Sequence, residues 1–524
     1  MIIFLARTSF GSKIGMGHFK RILNFFTNNS QEIKGKLLVD HIDKKKNFDF
    51  NNLEIAEIYN KDQNFKNEID DAKIFVNHIK NKKTFVLVDD YRIGEKWEKI
   101  VSKYAYKIIT IDDFVTRKHF SDFYINTKPG INFSEKSLKL ISYNNKKNSV
   151  TLLGSKFAII KKSLIKKKKN KKFIITFYNG ASGNLLIYEN IIINLCTNIL
   201  YKDIRINIIL GPYSKNQKQF KKIFKNNSKI EIIENNFNIG KILEITDLLI
   251  SSAGVITFES AYYKVPSIFF QVSKNQKIQA DALSEIGHHF ILEKKDLIEE
   301  KKINLFIHNI IKNYKRIKKL IDKPQLKIDG SGSKKILNII KNNRPIVSLK
   351  KNLETKPNNS IVVKKIQDQD INNFLHYRNK KINLKNSFSG KKIKRLDHYN
   401  WWFDEIIKDA HLVLKNNKPI ILLSQKYIKI GKYNFILPSM ISCDINLSAL
   451  DLLWAIKFQN KLIDNSTKKN KISVVAIKKD NYFSNQQCKY FNFKKINENN
   501  KFFLPIKDYI NISNCNLYMR FIND

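Results

Sequence analysis

Twice along the chain, short apolar runs alternate with amphipathic stretches, and no other feature restricts the fold as tightly. In the first 150 residues "IIFLA", "KLLVD", "TFVLVDD" and "YKIITIDD" read as strands, with "GHFKRILNFF" and "IDDAKIFVNHI" as helices between them. Apolar strands joined by helices build parallel, doubly wound sheets. The alternation stops at "KKSLIKKKKNKK" (161–172), a charge run without an apolar face that reads as a solvated connector. It restarts with "KFIITFYNG", "IRINIILG", "KIEIIEN", "TDLLISSAG" and "VPSIFFQ" and runs to about residue 343. "RPIVSLKKNLETKPNNS" (344–360) reads as a second linker, and the remainder has a different rhythm. The expected fold is α/β: Rossmann-like domains at 1–160 and 171–343 with a cleft between them, then a third, α+β domain at 361–524.

The formal net charge of +48 raises the question of nucleic acid. The excess is almost all Lys, spread along the chain among Asn and Ile, whereas a nucleic-acid site concentrates Arg and aromatics on one face. No nucleic-acid partner is therefore expected. A solvated basic surface that attracts an anionic substrate over a Debye length is the better reading. The cysteines (Cys196, Cys443, Cys488 and Cys515) form no CxxC pair, so neither a zinc site nor a disulfide framework follows. The apolar start "MIIFLA" is too short for a signal segment, and no run approaches the roughly 20 residues of a membrane span. A cytoplasmic protein without a membrane span is expected; the sequence does not set an oligomeric state.

Two segments carry chemistry. "DLLISSAGVITFESAYYKVPSIFF" is a strand, a small-residue turn and a helix. Ser251, Ser252, Ala253 and Gly254 let a ligand approach the backbone, and the helix start suits a diphosphate. Glu259 lies about one and a half turns further on, where its carboxylate can meet ribose hydroxyls; on spacing alone, a solvated Glu after an ordinary turn fits equally. Asn275 and Gln276 either meet sugar or phosphate or cap a helix. The other segment, "SKIGMGHFKR", follows the first strand and sets His18 where a glycine turn opens a helix. Asp89, Asp90 and Tyr91 end another strand, at the edge that borders the ligand crevice of an open α/β sheet.

The segment "SSAGVITFESAYYKVPSIFFQVSKNQ" resembles the nucleotide-sugar site of the two-Rossmann, type B glycosyltransferases and their hydrolase relatives. The resemblance implies that Glu259 holds the ribose of UDP, beside Ser252, Ala253, Gly254 and Thr257. "RTSFGSKIGMGHFKR", "VLVDDYRIGEKWE", "IITIDDFVTRKHFSDFYIN" and "LLGSKFAIIKK", in that order, resemble the UDP-sugar hydrolase family of the pseudaminic-acid pathway over about residues 1–290. Departures are Asn179-Gly180-Ala181-Ser182, where the family has GGxD, and Ile160-Lys161, where it has LR.

That resemblance implies hydrolysis of UDP-2,4-diacetamido-2,4,6-trideoxy-β-L-altropyranose to UDP and free sugar. Water would attack the anomeric carbon with inversion, without cofactor or metal. A base is needed near neutral pH, and imidazole titrates there. His18 is the expected base, with Gly15 and Gly17 leaving room for substrate. Arg7 and Arg21 would orient the sugar or balance phosphate charge, although Arg21 also reads as a helix flank. Asp89, Asp90 and Tyr91 would hold sugar substituents, or the acids cap the next helix. A glycosyltransferase using an acceptor hydroxyl and a non-catalytic UDP-sugar-binding scaffold are the alternatives.

In the third domain, His376-Tyr377-Arg378-Asn379, His398-Tyr399-Asn400-Trp401-Trp402-Phe403 and a later segment with Asn481 and Ser484 resemble the Gcn5-related N-acetyltransferases that act on nucleotide amino sugars. The resemblance implies acetyl-CoA as cofactor. The glycine-rich pyrophosphate turn of that fold is replaced by "SMISCDINLSALDLLWAIKF", which has no glycine and leaves Leu447-Ser448-Ala449 to open the helix. An active acetyltransferase and a degenerate domain kept for packing or binding both remain open on the sequence.

Overall fold

The structure is a computed structural model and describes residues 1–42, 53–131, 135–165, 171–234, 238–272, 283–287, 289–342, 361–387, 390–404, 409–444, 447–466, 470–507, 509–510 and 514–522. The chain divides into two compact units, Met1–Ser348 and Leu349–Asp524. Asn275, Gln276 and the 344–360 linker lie outside the described residues.

The first unit holds two parallel sheets. One comprises β1 (Ile2–Thr8), β2 (Ile33–Val39), β3 (Glu54–Glu57), β4 (Phe85–Asp89), β5 (Lys107–Ile111), β6 (Phe123–Asn126) and β7 (Val150–Leu153), in the order β3-β2-β1-β4-β5-β6-β7. The other comprises β8 (Phe173–Tyr178), β9 (Ile204–Leu210), β10 (Ile230–Glu234), β11 (Leu248–Ser252), β12 (Ser267–Gln271) and β13 (Phe290–Glu293), in the order β10-β9-β8-β11-β12-β13. Both are the α/β sheets expected from the alternation. The four-residue strands β3, β6, β7 and β13 were not expected; they are too short to carry a period of their own. In each sheet the strand order reverses once, between β1 and β4 and between β8 and β11. Ligand crevices form outside the carboxyl ends of strands at such switch points.

The helix α1 (Gly17–Asn28) leaves β1 and buries Phe19, Ile22, Phe25 and Phe26 against the first sheet. Much further along, α2 (Ile256–Tyr262) leaves β11, and α3 (Gly332–Asn342) closes the unit. The apolar face of α3 does not pack on the second sheet. Ile336, Leu337, Ile339 and Ile340 join Phe4, Phe26 and Leu37 in the first core. Asn28 at the end of α1 donates to Ser333 Oγ at 3.1 Å and to the Ile160 carbonyl at 2.6 Å. The last helix therefore straps the second lobe to the first.

The second unit is a mixed seven-stranded sheet of β14 (Ile361–Lys365), β15 (Ala410–Lys415), β16 (Lys418–Ile430), β17 (Tyr433–Ser442), β18 (Lys471–Lys478), β19 (Lys494–Ile496) and β20 (Cys515–Ile522), in the order β14-β15-β16-β17-β18-β20-β19. Its pairs are antiparallel except β17 with β18, which run parallel and pair only over Asn434–Ile436 and Lys471–Ser473. Among the described residues, no helix is long and apolar enough to cross a membrane.

Leu337 is fully buried in the first core although it belongs to the last helix of the unit. Leu337→Ala is expected to destabilise the unit by about 2–5 kcal/mol, read as a lower midpoint in urea. An unchanged midpoint would mean that α3 is not part of that core.

Candidate active site

Both switch points open toward the same place. The glycine turn before α1 packs on the turns of the second sheet. A Cβ at Gly15 would lie 3.8 Å from Ser182 Oγ, one at Gly17 3.7 Å from the Val255 side chain, and one at Gly180 3.9 Å from Ser252 Oγ. Gly15 has φ +81°, a left-handed conformation that glycine adopts freely. A side chain at either position would meet only ordinary contacts with the other lobe, so it is the left-handed backbone at Gly15, and not crowding, that calls for glycine. At Gly254 nothing lies within 4 Å of a Cβ, so that backbone faces open space.

His18 stands at the second position of α1, with its side chain 12% exposed. Its Nδ1 lies 2.6 Å from Asp89 Oδ1. Arg21 is three residues on and shares that helix face. It grips the same carboxylate through Nε (2.8 Å to Oδ2) and Nη2 (2.7 Å to Oδ1). A carboxylate held in this way only accepts, so His18 Nδ1 carries a proton, and in the neutral ring Nε2 has the lone pair. Arg21 Nη2, which carries two hydrogens, also lies 3.0 Å from that Nδ1, but the 2.6 Å approach to Asp89 Oδ1 requires Nδ1 to donate, because a carboxylate has no proton to give. The other end of Arg21 meets both oxygens of Asp113 at 2.9 Å. Tyr91 donates its hydroxyl to Asp113, and its ring meets the His18 ring edge-to-face at 4.3 Å. Burial works against ionisation of Asp113, but Arg21, Lys128 and the Tyr91 hydrogen bond outweigh it and hold the carboxyl down at about 2. Burial and then the Asp113 charge push the Tyr91 hydroxyl up.

The expected roles divide accordingly. Asp89 is fully buried and holds His18 and Arg21, so it meets protein groups and not sugar substituents. Arg7 is fully buried as well. Its guanidinium meets Asp71, Asp40 at 2.6 Å and the Thr8 carbonyl at 2.6 Å, so it neither orients a sugar nor meets a phosphate. Asp90 faces Arg92, which contacts both its oxygens at 2.7 and 3.0 Å. Burial opposes ionisation there too, and Arg92 overcomes it to set Asp90 at about 2. Arg21 lies inside the cluster and is not a mere helix flank. Tyr91 stays in it, beside His18. Asp113, not singled out from its motif, completes the cluster.

Across the turn, Ser252, Ala253, Gly254 and Thr257 form the end of β11 and the start of α2. The Thr257 hydroxyl is spent on the Gly254 carbonyl at 2.7 Å, closing the turn. Glu259 borders a cavity of about 100 Å³, together with Phe19, Lys20, Asn24, Gly240 and Tyr262. Burial raises the Glu259 carboxyl, against the pull of Lys20. Among the described residues, no hydrogen-bond donor is assigned to that carboxylate.

A second histidine behaves differently. His119 is buried between Glu98 (2.9 Å) and Asp112 (3.0 Å). Burial alone would lower it, but hydrogen bonds to the two carboxylates prevail and raise it to about 9. Its nitrogens are both occupied, so it locks the loop after β5 and does no acid–base work.

In the second unit three of the resemblance residues hold the fold together. Asn379 exchanges hydrogen bonds with the backbone of Ile393 at 2.9 and 3.0 Å. His398 is buried, meets the Ile371 carbonyl at 2.8 Å, and is held down at about 4 by burial. Asn481 caps its helix by accepting from the Ser484 N–H at 3.2 Å. The helix α4 (Ala449–Asp464) is closed by a capping box. Ser448 Oγ accepts from the Asp451 N–H at 3.1 Å, and the Asp451 carboxylate takes the Ser448 hydroxyl at 2.7 Å and meets Lys415 at 2.9 Å. The cap takes the Asp451 N–H and places a carboxylate beside the start of α4.

No family model matches the chain. It is 25% identical over 370 residues to an uncharacterised protein of Methanocaldococcus jannaschii, covering 67% of this chain and 69% of that one. It is also similar to three solved structures at low identity. These are MurG of Acinetobacter baumannii (13%, 65% of this chain and 99% of that one, TM-score 0.44), S. aureus MnaA with UDP (12%, 66% and 97%, 0.45) and the UDP-GlcNAc 2-epimerase of Neisseria meningitidis bound to UDP-GlcNAc (11%, 65% and 100%, 0.43).

Two outcomes are expected. His119 is raised from its ordinary 6.5 to about 9, so it contributes stability that is complete below about 6.5 and lost as pH rises through 9. The gap in unfolding free energy between the wild type and His119→Gln should narrow from pH 6 to pH 10; a constant gap would contradict this. Titration of the full chain with acetyl-CoA, followed by calorimetry, should show no saturable binding; saturation would mean that the α4 cap opens.

Proposed function

We propose that the first unit hydrolyses a UDP-linked 2,4-diacetamido-2,4,6-trideoxy sugar to UDP and the free sugar, in nonulosonic (pseudaminic) acid synthesis in the cytoplasm. One observation carries the reading. His18 donates through Nδ1 to Asp89, which leaves Nε2 of the neutral ring bare, at the start of a helix whose glycine turn lies beside Ser182 and Val255 of the other lobe. An imidazole fixed in that tautomer by a buried carboxylate is poised to take a proton.

The roles follow. The nucleotide lies on the second lobe, with its ribose hydroxyls donating to the Glu259 carboxylate and its diphosphate beside Gly254, where a Cβ would meet nothing. The sugar projects toward His18. His18 Nε2 takes a proton from water as the water oxygen bonds to the anomeric carbon. The bond from that carbon to the phosphate oxygen breaks, and its electron pair leaves with UDP. Asp89 stabilises the imidazolium formed and keeps the ring from rotating. Arg21 keeps Asp89 in place and is a positioning residue. Neither a metal nor a cofactor has a part in this scheme. The second unit has no chemical role in it.

His18→Asn should still bind the UDP-sugar while UDP release falls about 10²–10⁴-fold, the usual worth of a general base. Glu259→Ala should weaken UDP binding about 10–100-fold, the worth of hydrogen bonds to a charged group. Release unimpaired in His18→Asn would dismiss His18 as the base. Equal UDP affinity in Glu259→Ala would place the ribose elsewhere.

A further inference from the structure

The groups beside the expected reaction centre are unusual in that both accept. In the neutral ring, which a base requires, His18 Nε2 is bare because Nδ1 donates to Asp89. Tyr91 has one hydroxyl proton, and it goes to Asp113. Asp113 is held at about 2, so it is a carboxylate at any working pH and returns no proton. Two contacts of 2.9 Å from Arg21 keep it from turning away. The Tyr91 oxygen is therefore left with lone pairs only, in a ring that touches the His18 ring at 4.3 Å.

Two neighbouring acceptors are satisfied together by a nucleophile with two protons on one oxygen. Water has two, whereas an alcohol has one and turns carbon toward the other acceptor. A polar group left facing carbon in a closed site costs about 1–3 kcal/mol, roughly 5- to 150-fold in rate. We propose that Asp113, by committing the Tyr91 hydroxyl proton, makes Tyr91 an acceptor that selects water over an alcohol as the nucleophile. The proposal rests on the hydrolase reading and deepens it.

In the step itself, one water proton moves to His18 Nε2 as the oxygen bonds to the anomeric carbon. The second proton stays on the new hydroxyl and is held by Tyr91 Oη throughout. The phosphate oxygen leaves with the electron pair of the broken bond, and the proton on His18 passes to solvent. With both protons engaged, the attacking lone pair points at the carbon.

The test supplies the full-length protein with UDP-2,4-diacetamido-2,4,6-trideoxy-β-L-altropyranose in buffer containing methanol, and counts free sugar against methyl glycoside. The wild type should give almost only free sugar. Tyr91→Phe should lower free-sugar formation at least 10-fold and raise the ratio of methyl glycoside to free sugar at least 10-fold. Asp113→Leu, which returns the hydroxyl proton to the pocket, should shift the ratio in the same direction. UDP affinity and circular dichroism matching the wild type confirm that each variant is folded; if Asp113→Leu fails there, Tyr91→Phe alone decides. An unchanged ratio in Tyr91→Phe, whether or not the overall rate falls, overturns the proposal and gives Tyr91 a role in holding the sugar. Absence of UDP release from the wild type without methanol overturns the hydrolase reading, a result distinct from a failed change in ratio.

Discussion

A single carboxylate organises the site. Asp89 is completely buried at the end of a central strand, yet it accepts from both His18 and Arg21. Burying a charge is tolerated only when it is paired and hydrogen-bonded on all sides, and this one is. Its position is fixed from behind, because Thr8 at the end of β1 donates its hydroxyl to the Asp89 carbonyl at 2.8 Å. The strand pair at the switch point therefore sets the carboxylate, and the carboxylate sets which imidazole nitrogen carries the proton.

Adjacent acids at the strand ends do different work, and the pleat of the chain is the reason. Side chains next to each other at a strand end point to opposite faces. Asp89 goes to His18 and Arg21, and Asp90 goes to Arg92. Asp113 goes to Arg21 and Tyr91, and Asp112 goes to Arg117 at 2.9 Å and to His119. One acid of each pair faces the candidate site, and its neighbour ties down the loop that follows. The sequence shows the pairs plainly, but which member faces the cleft depends on register, and register becomes visible only with the partner strands in place.

The two sheets were legible because buried parallel strands leave long apolar runs that need no context. The strands missed have four residues each, too few to show a period. Arg7 was misread although a signal was present. It lies inside the apolar run "IIFLART", and a strand central to a parallel sheet is covered on both faces. An arginine there has to find carboxylates inside the fold, and it finds Asp71 and Asp40. Arg21 looked weaker, a basic residue near a helix start, yet three-residue spacing from His18 is what lets both reach one acid. The cap at Ser448 was half legible. The absence of glycine was visible, but the Asp451 carboxylate turning back on the helix start follows from side-chain geometry that spacing alone does not give.

The glycines near His18 are best understood through the packing of the two lobes. Groups on the two lobes can meet one ligand only if the lobes hold a fixed separation. Three features set it here. Gly15 takes a left-handed conformation, Gly17 lies where an added Cβ would reach Val255 at 3.7 Å, and α3 returns from the second lobe to the first core. The connector is gripped from both sides, by Asn28 of α1 at the Ile160 carbonyl and by Tyr262 of α2 at the Ser163 carbonyl, at 2.6 and 2.5 Å. The helix that carries His18 and the helix that carries Glu259 are thus fastened to the same few residues. A change in the angle between the lobes would strain both fastenings at once, so the distance from His18 to Glu259 is a property of the connector as much as of the turns that carry them.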